Sequence, residues 1–165
     1  MSSIYEILKS RLEYNPKTGL FKYRHDFNLM KQGDIAGRPN TNGHVQISIN
    51  NRRYMAHNLA WLFMTGELPS GFIIDHKDRN YSNNKWDNLR KSDVVLNQGN
   101  SKIRIDNASG TKGVHWCKSK CRWVAQISIN GKRKHLGYFA DIESAKEVYG
   151  NAAKLHFGEF ANVSK

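Results

Sequence analysis

The sequence predicts an α+β chain of short antiparallel hairpins joined to single helices. Three observations carry that expectation. Two runs, Val45–Ile49 and Trp123–Ile129, alternate apolar and polar residues with the period of a half-buried strand. Each runs into a pair suited to the positive φ of a tight hairpin, Asn50-Asn51 and Asn130-Gly131. Elsewhere apolar residues recur at helical spacing, most clearly Ala145, Val148, Tyr149, Ala152 and Leu155.

Taken in order, Ile4, Ile7, Leu8 and Leu12 predict a helix over 4–12. Asn15-Pro16-Lys17-Thr18-Gly19 is turn chemistry, and a short strand follows at 20–23. Residues 33–43 are rich in Gly and Asn and read as loop. Arg52 to Met55 is the strand returning from the first hairpin. Leu59, Trp61, Leu62 and Phe63 form a short apolar helix stopped by Gly66 and Pro69. Ile73-Ile74-Asp75-His76 reads as a buried strand, 77–84 as a polar loop, and 89–91 as a second short strand. Ser92 or Asp93 caps a helix through Val94–Asn97. Residues 101–109 resemble a basic linker. Beyond it come three antiparallel strands and one helix capped by Asp141. Gly150 inside that helix costs about 1 kcal/mol relative to Ala, so the helix relies on packing. The run Gln46–Asn50 recurs as Gln126–Asn130, which reads as two hairpins drawing on the same β-forming residues.

Composition narrows the function classes. The 165 residues carry 26 Lys and Arg against 14 Asp and Glu, a formal net charge of +12. A cationic chain of this size is biased toward polyanions, nucleic acid before anionic membrane. Residues 109–165 hold 10 of those cations and 4 of the acids, so the C-terminal third is the denser in positive charge. No apolar run approaches the ~20 residues of a membrane span. No amphipathic basic helix, signal peptide or lipidation signal supports a membrane partner. Two cysteines, Cys117 and Cys121, cannot make a disulfide framework and point to a reducing compartment. With His115 and His135 their spacing is too loose for a zinc cluster, and they read as ordinary strand residues.

The densest polar constellation lies between residues 75 and 100. Asp75 and a helix-borne Asn97 each offer one oxygen to a hard divalent cation, as suits Mg²⁺. His76 would take the proton of an attacking water. The bland alternative has Asp75 and Asn88 satisfying turn backbone and His76 packed in a core.

The order of pieces over 43–100 resembles the HNH homing endonucleases of phage. They are Gly43-His44-Val45, Tyr54-Met55-Ala56-His57-Asn58-Leu59, Ile74-Asp75-His76-Lys77-Asp78, Ser82-Asn83-Asn84, Asp87-Asn88-Leu89 and Asn97-Gln98-Gly99-Asn100. The resemblance implies a ββα-metal core with one Mg²⁺ or Mn²⁺ ion per active site. Asp75 and Asn97 would be its ligands, His76 the general base, and Asn88 the residue that fixes the loop and orients that base. His57, at the start of an apolar helix, reads as structural. Residues 110–161 are similar to the AP2 DNA-binding domain, through Gly110–Val114, Trp123–Ile127, Gly131–Phe139, Glu143–Ala145, Ala152–Lys154 and Gly158–Asn162. That likeness implies a sheet face in the major groove of double-stranded DNA, with Lys112, His115, Cys117, Gln126, Ser128, Arg133 and His135 on it. Arg122 and Lys132 would touch phosphates.

The expected organisation is therefore a lead-in over 1–42, a nuclease domain over 43–100, a linker over 101–109 and a recognition domain over 110–165. The implied function is a metal-dependent endonuclease, nicking or breaking DNA, with a homing role and a bacterial host's cytoplasm as the setting. The alternative is a catalytically inactive DNA-binding or regulatory protein on the same scaffold.

Overall fold

A computed structural model of the chain describes residues 4–26, 28–100, 103 and 106–163, without the side chains of Val94, Val95 and Gln98. Lys102 and Arg104 of the expected linker lie outside the described residues. The chain forms two compact units, 1–92 and 93–165.

The first unit begins with α1 (Ile4–Arg11), which passes directly into β1 (Leu12–Asn15). β1 pairs antiparallel with β2 (Leu20–Tyr23), Asn15 opposite Leu20. The turn between them is built by Asn15, whose Oδ1 accepts from the backbone of Lys17 and Thr18. β3 (Arg38–Pro39), β4 (Val45–Ile49) and β5 (Arg52–Met55) form a second antiparallel sheet with β4 in the centre. Asn50 and Asn51 turn that hairpin with φ of 50° and 59°. α2 (Ala56–Thr65) follows without a loop and stops at Gly66, which takes φ 85° and donates back to Leu62. β6 (Ile73–His76) pairs with β7 (Leu89–Ser92) across a long polar loop. Leu8, Leu12, Phe21, Ile47, Ile49, Leu59, Leu62, Ile74 and Leu89 share one core. Residues 1–42 are thus not a separate lead-in, because Leu8, Leu12 and Phe21 are buried with the strands and helix that follow.

The second unit opens with α3 (Val94–Asn100), capped by Asp93, whose Oδ1 accepts from the backbone of Leu96. The division at 92/93 therefore differs from the expected boundary at 100/101. Within this unit Asn162 and Lys112 both donate to the Gly99 carbonyl. β8 (Val114–Cys117), β9 (Arg122–Ile129) and β10 (Lys132–Phe139) form an antiparallel sheet, again with the middle strand in the centre. α4 (Ile142–Phe157) is capped by Asp141, which accepts from the Ser144 backbone. Ala145, Tyr149, Ala153 and Phe157 of α4 bury against Val114, Ala125 and Ile127. The two copies of Gln-Ile-Ser-Ile-Asn hold the same position in the two units: central strand, then a two-residue turn. Among the described residues, no helix is long and apolar enough to cross a membrane.

Candidate active site

His76 ends β6 in the core of the first unit, 1% exposed. Its Nε2 lies 3.2 Å from the Asn84 side-chain oxygen. Asn84 Nδ2 donates to the Ser82 carbonyl, which identifies Oδ1 as the acceptor facing the imidazole. The ring therefore carries its proton on Nε2 and its lone pair on Nδ1. Burial pulls the His76 pKa below the usual 6.5, while the Asn84 bond and the carboxylates of Asp75 and Asp78 act against that pull. The ring is neutral at pH 7.

Asn84 was not singled out by the sequence. It is 2% exposed, and the N-terminal strands hold it. Tyr14 donates its hydroxyl to the Asn84 carbonyl at 2.7 Å, and Trp86 donates its backbone N–H to Pro16. The Asn15–Gly19 turn lies directly against the backbone of Asn84 and Lys85. Asn88 is bonded within the same polar loop. Its Nδ2 donates to Asp78 and to the Asn83 carbonyl, and its Oδ1 accepts from the Asp78 backbone. It ties the 78–83 loop together, and Asn84 contacts the imidazole. Burial raises the Asp78 pKa, but bonds from Asn83, Asn80 and Asn88 outweigh it and hold the carboxyl below its usual value.

Asp75 sits opposite Arg90 in the β6–β7 register. Arg90 Nε donates to its Oδ2 at 3.0 Å, so the buried carboxylate (4% exposed) is charge-balanced. The Asp75 carboxylate is a hard oxygen donor, the type that Mg²⁺-class ions favour. Asn97 lies on α3 in the second unit, with a half-buried side chain. Neither Arg90 nor its pairing was legible beforehand, since a twelve-residue loop separates the paired strands.

Two further histidines join His76. The rings of His44, His57 and His76 lie 5.1–5.9 Å apart, centroid to centroid, and His44 stacks on Tyr81 at 4.3 Å. His57 is 9% exposed, and burial, aided by the neighbouring His76 and His44, pushes its pKa down to about 3. His44 is lowered for the same two reasons, burial and His76. The ladder set by the Asn50-Asn51 turn ends with Gln46 opposite Met55, and α2 begins at Ala56, so no strand register relates His44 to His57.

In the second unit, register decides the exposed face. His115 lies opposite Val124, Cys117 opposite Arg122, Ser128 opposite Arg133 and Gln126 opposite His135. Directly opposed residues share a face. These seven polar positions therefore lie on the face away from Ala125 and Ile127, which pack on α4. Lys132 falls opposite Ile129, on the other face, at the exposed end of its strand. The Lys112 ammonium is engaged with the Gly99 carbonyl at 2.8 Å. Both cysteines are free thiols.

The family described as HNH endonuclease matches residues 54–92, the stretch containing Asp75, His76, Asn84 and Asn88. Protein 3.8 of Escherichia phage T7 is 33% identical over 105 residues, covering 64% of this chain and 86% of that protein. An uncharacterized HNH endonuclease, L560, of Acanthamoeba polyphaga mimivirus is 32% identical over 104 residues. There the match covers 63% of this chain and 53% of the relative. The HNH homing endonuclease I-HmuI, solved in a study of DNA binding and cleavage, aligns over 86% of this chain and 79% of its own. That alignment has 18% identity and a TM-score of 0.42.

Proposed function

The chain belongs to the HNH endonuclease family, and from that premise we propose that it hydrolyses phosphodiesters of double-stranded DNA with a divalent ion, His76 acting as general base. The observation that carries this reading is the His76–Asn84 bond. It leaves a neutral imidazole with a defined lone pair on Nδ1, the state a base requires to take a proton from water. Asp75 would offer an oxygen to one Mg²⁺ or Mn²⁺ ion, and Asn97 is a second oxygen donor of the kind such an ion takes. Such an ion supplies stabilisation of the charge that builds on the phosphate and the departing 3′-oxygen. Asn88 is a positioning residue, acting through the loop that carries Asp78 and Asn83. The products would be 5′-phosphate and 3′-hydroxyl ends. One such centre cuts one strand per binding event, so a monomer would nick. A homing role for that cleavage is part of the same proposal, carried by the family likeness.

The second unit would recognise the duplex in the manner of an AP2 domain. Support comes from the polar face of β8–β10, where His115, Cys117, Arg122, Gln126, Ser128, Arg133 and His135 stand together and a β-sheet fits the major groove. Lys132 would add a phosphate contact. Lys112 would reach DNA only by leaving Gly99.

A second reading is a DNA-binding protein that no longer cleaves. It is favoured by the Arg90 pairing on Asp75 and by the depth of His76. Plasmid nicking with Mg²⁺ separates the two. We expect nicking that chelator abolishes and a loss of at least ~100-fold in His76→Ala. Equal activity in both proteins would remove His76 as the base. Duplex binding with no cleavage in either would establish the second reading.

A further inference from the structure

We propose that Lys112 is a positioning residue for Asn97: its ammonium anchors the C-terminal end of α3, the helix that carries this oxygen donor, rather than reading DNA. The inference takes from the hydrolytic reading only the role of Asn97. α3 spans 7 residues, Val94–Asn100. Isolated helices shorter than about 12–15 residues are marginal in water, so one of this length keeps its place through whatever holds its ends and one side. The second unit supplies those holds.

At the N-terminal end Asp93 Oδ1 accepts from the Leu96 backbone at 2.7 Å, and the Asp93 carbonyl accepts from the Asn97 backbone at 3.0 Å. Leu96 packs on the core that the sheet shares with α4. Gly99 lies flush against α4: a Cβ added there would come 2.6 Å from Cγ of Phe157 and 2.8 Å from its Cβ. At the C-terminal end the Gly99 carbonyl accepts from the Lys112 ammonium at 2.8 Å and from the Asn162 backbone at 3.2 Å. The last carbonyls of a helix have no partner inside it and form its negative end, so a lysine is the side chain suited to that position.

Lys112 also stands apart from the polar side chains of the sheet face. The β8–β9 ladder begins with Val114 opposite Ala125, so the register that places His115 and Cys117 on that face starts beyond it. Lys112 is half-buried, whereas His115, Arg122, Ser128, Arg133 and His135 are exposed. Asn97 is therefore held by the same contacts that hold α3: the Asp93 cap, the Phe157 ring against Gly99, and Lys112 on the helix end. Loosening the last of these frees Asn97 to move. A donor held less firmly binds its ion more weakly and leaves the reaction unchanged once the ion is bound.

The test compares the full chain with Lys112→Met, Lys112→Arg and Gly99→Ala. In chelator, hydrogen exchange of the backbone amides of 96–100 should quicken by at least ~10-fold in Lys112→Met and Gly99→Ala. Lys112→Arg keeps a donor for the carbonyl and should stay near the wild type. Duplex affinity measured against salt should keep the wild-type slope in Lys112→Met, whereas loss of one phosphate contact lowers that slope by about 1. With Mg²⁺ added, Lys112→Met and Gly99→Ala should need ~10–100-fold more ion for half-maximal nicking, and saturating Mg²⁺ should restore the rate. Alanine is the better helix former, so a loss in Gly99→Ala reports its contact with Phe157. Unchanged exchange with a lowered salt slope in Lys112→Met would overturn the inference in favour of a DNA contact. An unchanged Mg²⁺ requirement, or a rate that saturating Mg²⁺ does not restore, would overturn it as well. A wild type that binds DNA without nicking would remove the hydrolytic reading instead; quickened exchange in Lys112→Met would still establish the anchor, and unchanged exchange would remove that too.

Discussion

Gly19 lies far from His76 in sequence, yet its replacement should damage both stability and the catalytic centre. Gly19 has φ +74°, and an added Cβ would meet the Lys85 backbone nitrogen and, at 2.5 Å, the Asn84 carbonyl carbon. Both are backbone atoms, so neither can swing aside. Gly43 provides the comparison. It has φ +84° and nothing within 4 Å of an added Cβ. Gly43→Ala should therefore cost only the left-handed backbone penalty, about 1–2 kcal/mol. Gly19→Ala should cost that and a further ~1–3 kcal/mol of overpacking. Urea unfolding followed by tryptophan fluorescence reads the difference, since Trp61 and Trp86 pack 5.2 Å apart in the same unit. The displaced segment carries Asn84, so nicking by Gly19→Ala should fall by about 10–100-fold under conditions where the protein remains folded. Stabilities of the two variants within about 0.5 kcal/mol of each other would refute the close approach. A normal nicking rate in a destabilised Gly19→Ala would sever the link to His76.

Asn84→Ala should reduce nicking by about 10–100-fold and move the acidic limb of the pH–rate profile to lower pH, because the Asn84 bond raises the His76 pKa; an unmoved limb would contradict the contact. In chelator, the metal-free protein should lose stability on acidification. His57 is depressed from 6.5 to about 3, so below pH 6.5 the unfolded chain binds a proton that the folded chain refuses. Its contribution is whole above 6.5 and declines by about 1.4 kcal/mol per pH unit toward pH 3. Denaturation at pH 7.5, 6.5 and 5.5 measures the slope, and His57→Gln should flatten it by that amount. Gly150→Ala should raise the thermal midpoint, since the position lies inside α4 with open space around it and Gly there costs about 1 kcal/mol; a lower midpoint would mean the added methyl group is not accommodated.

Local order was readable from the residues themselves. Alternation marked β4 and β9, and paired positive-φ residues marked their turns. A two-residue turn fixes the pairings next to it, so Arg133 opposite Ser128 and His135 opposite Gln126 follow from Asn130-Gly131, up to the register shift between His135 and Gly137. The Asp141 and Asp93 caps and the Gly66 stop are equally local, because each acts within one helical turn. What escaped were contacts whose partners no short-range rule relates. β1 is hidden because Leu12 continues the apolar spacing of α1, and β3 is two residues long and contains a proline. Asp75 meets Arg90, Asn84 meets His76, and Tyr14 meets Asn84 only after separate hairpins share a core. The third imidazole reached His44 and His57 from a different sheet. Turn geometry spans a few residues, whereas burial brings together side chains from anywhere in the chain, and the candidate site is made of the second kind of contact.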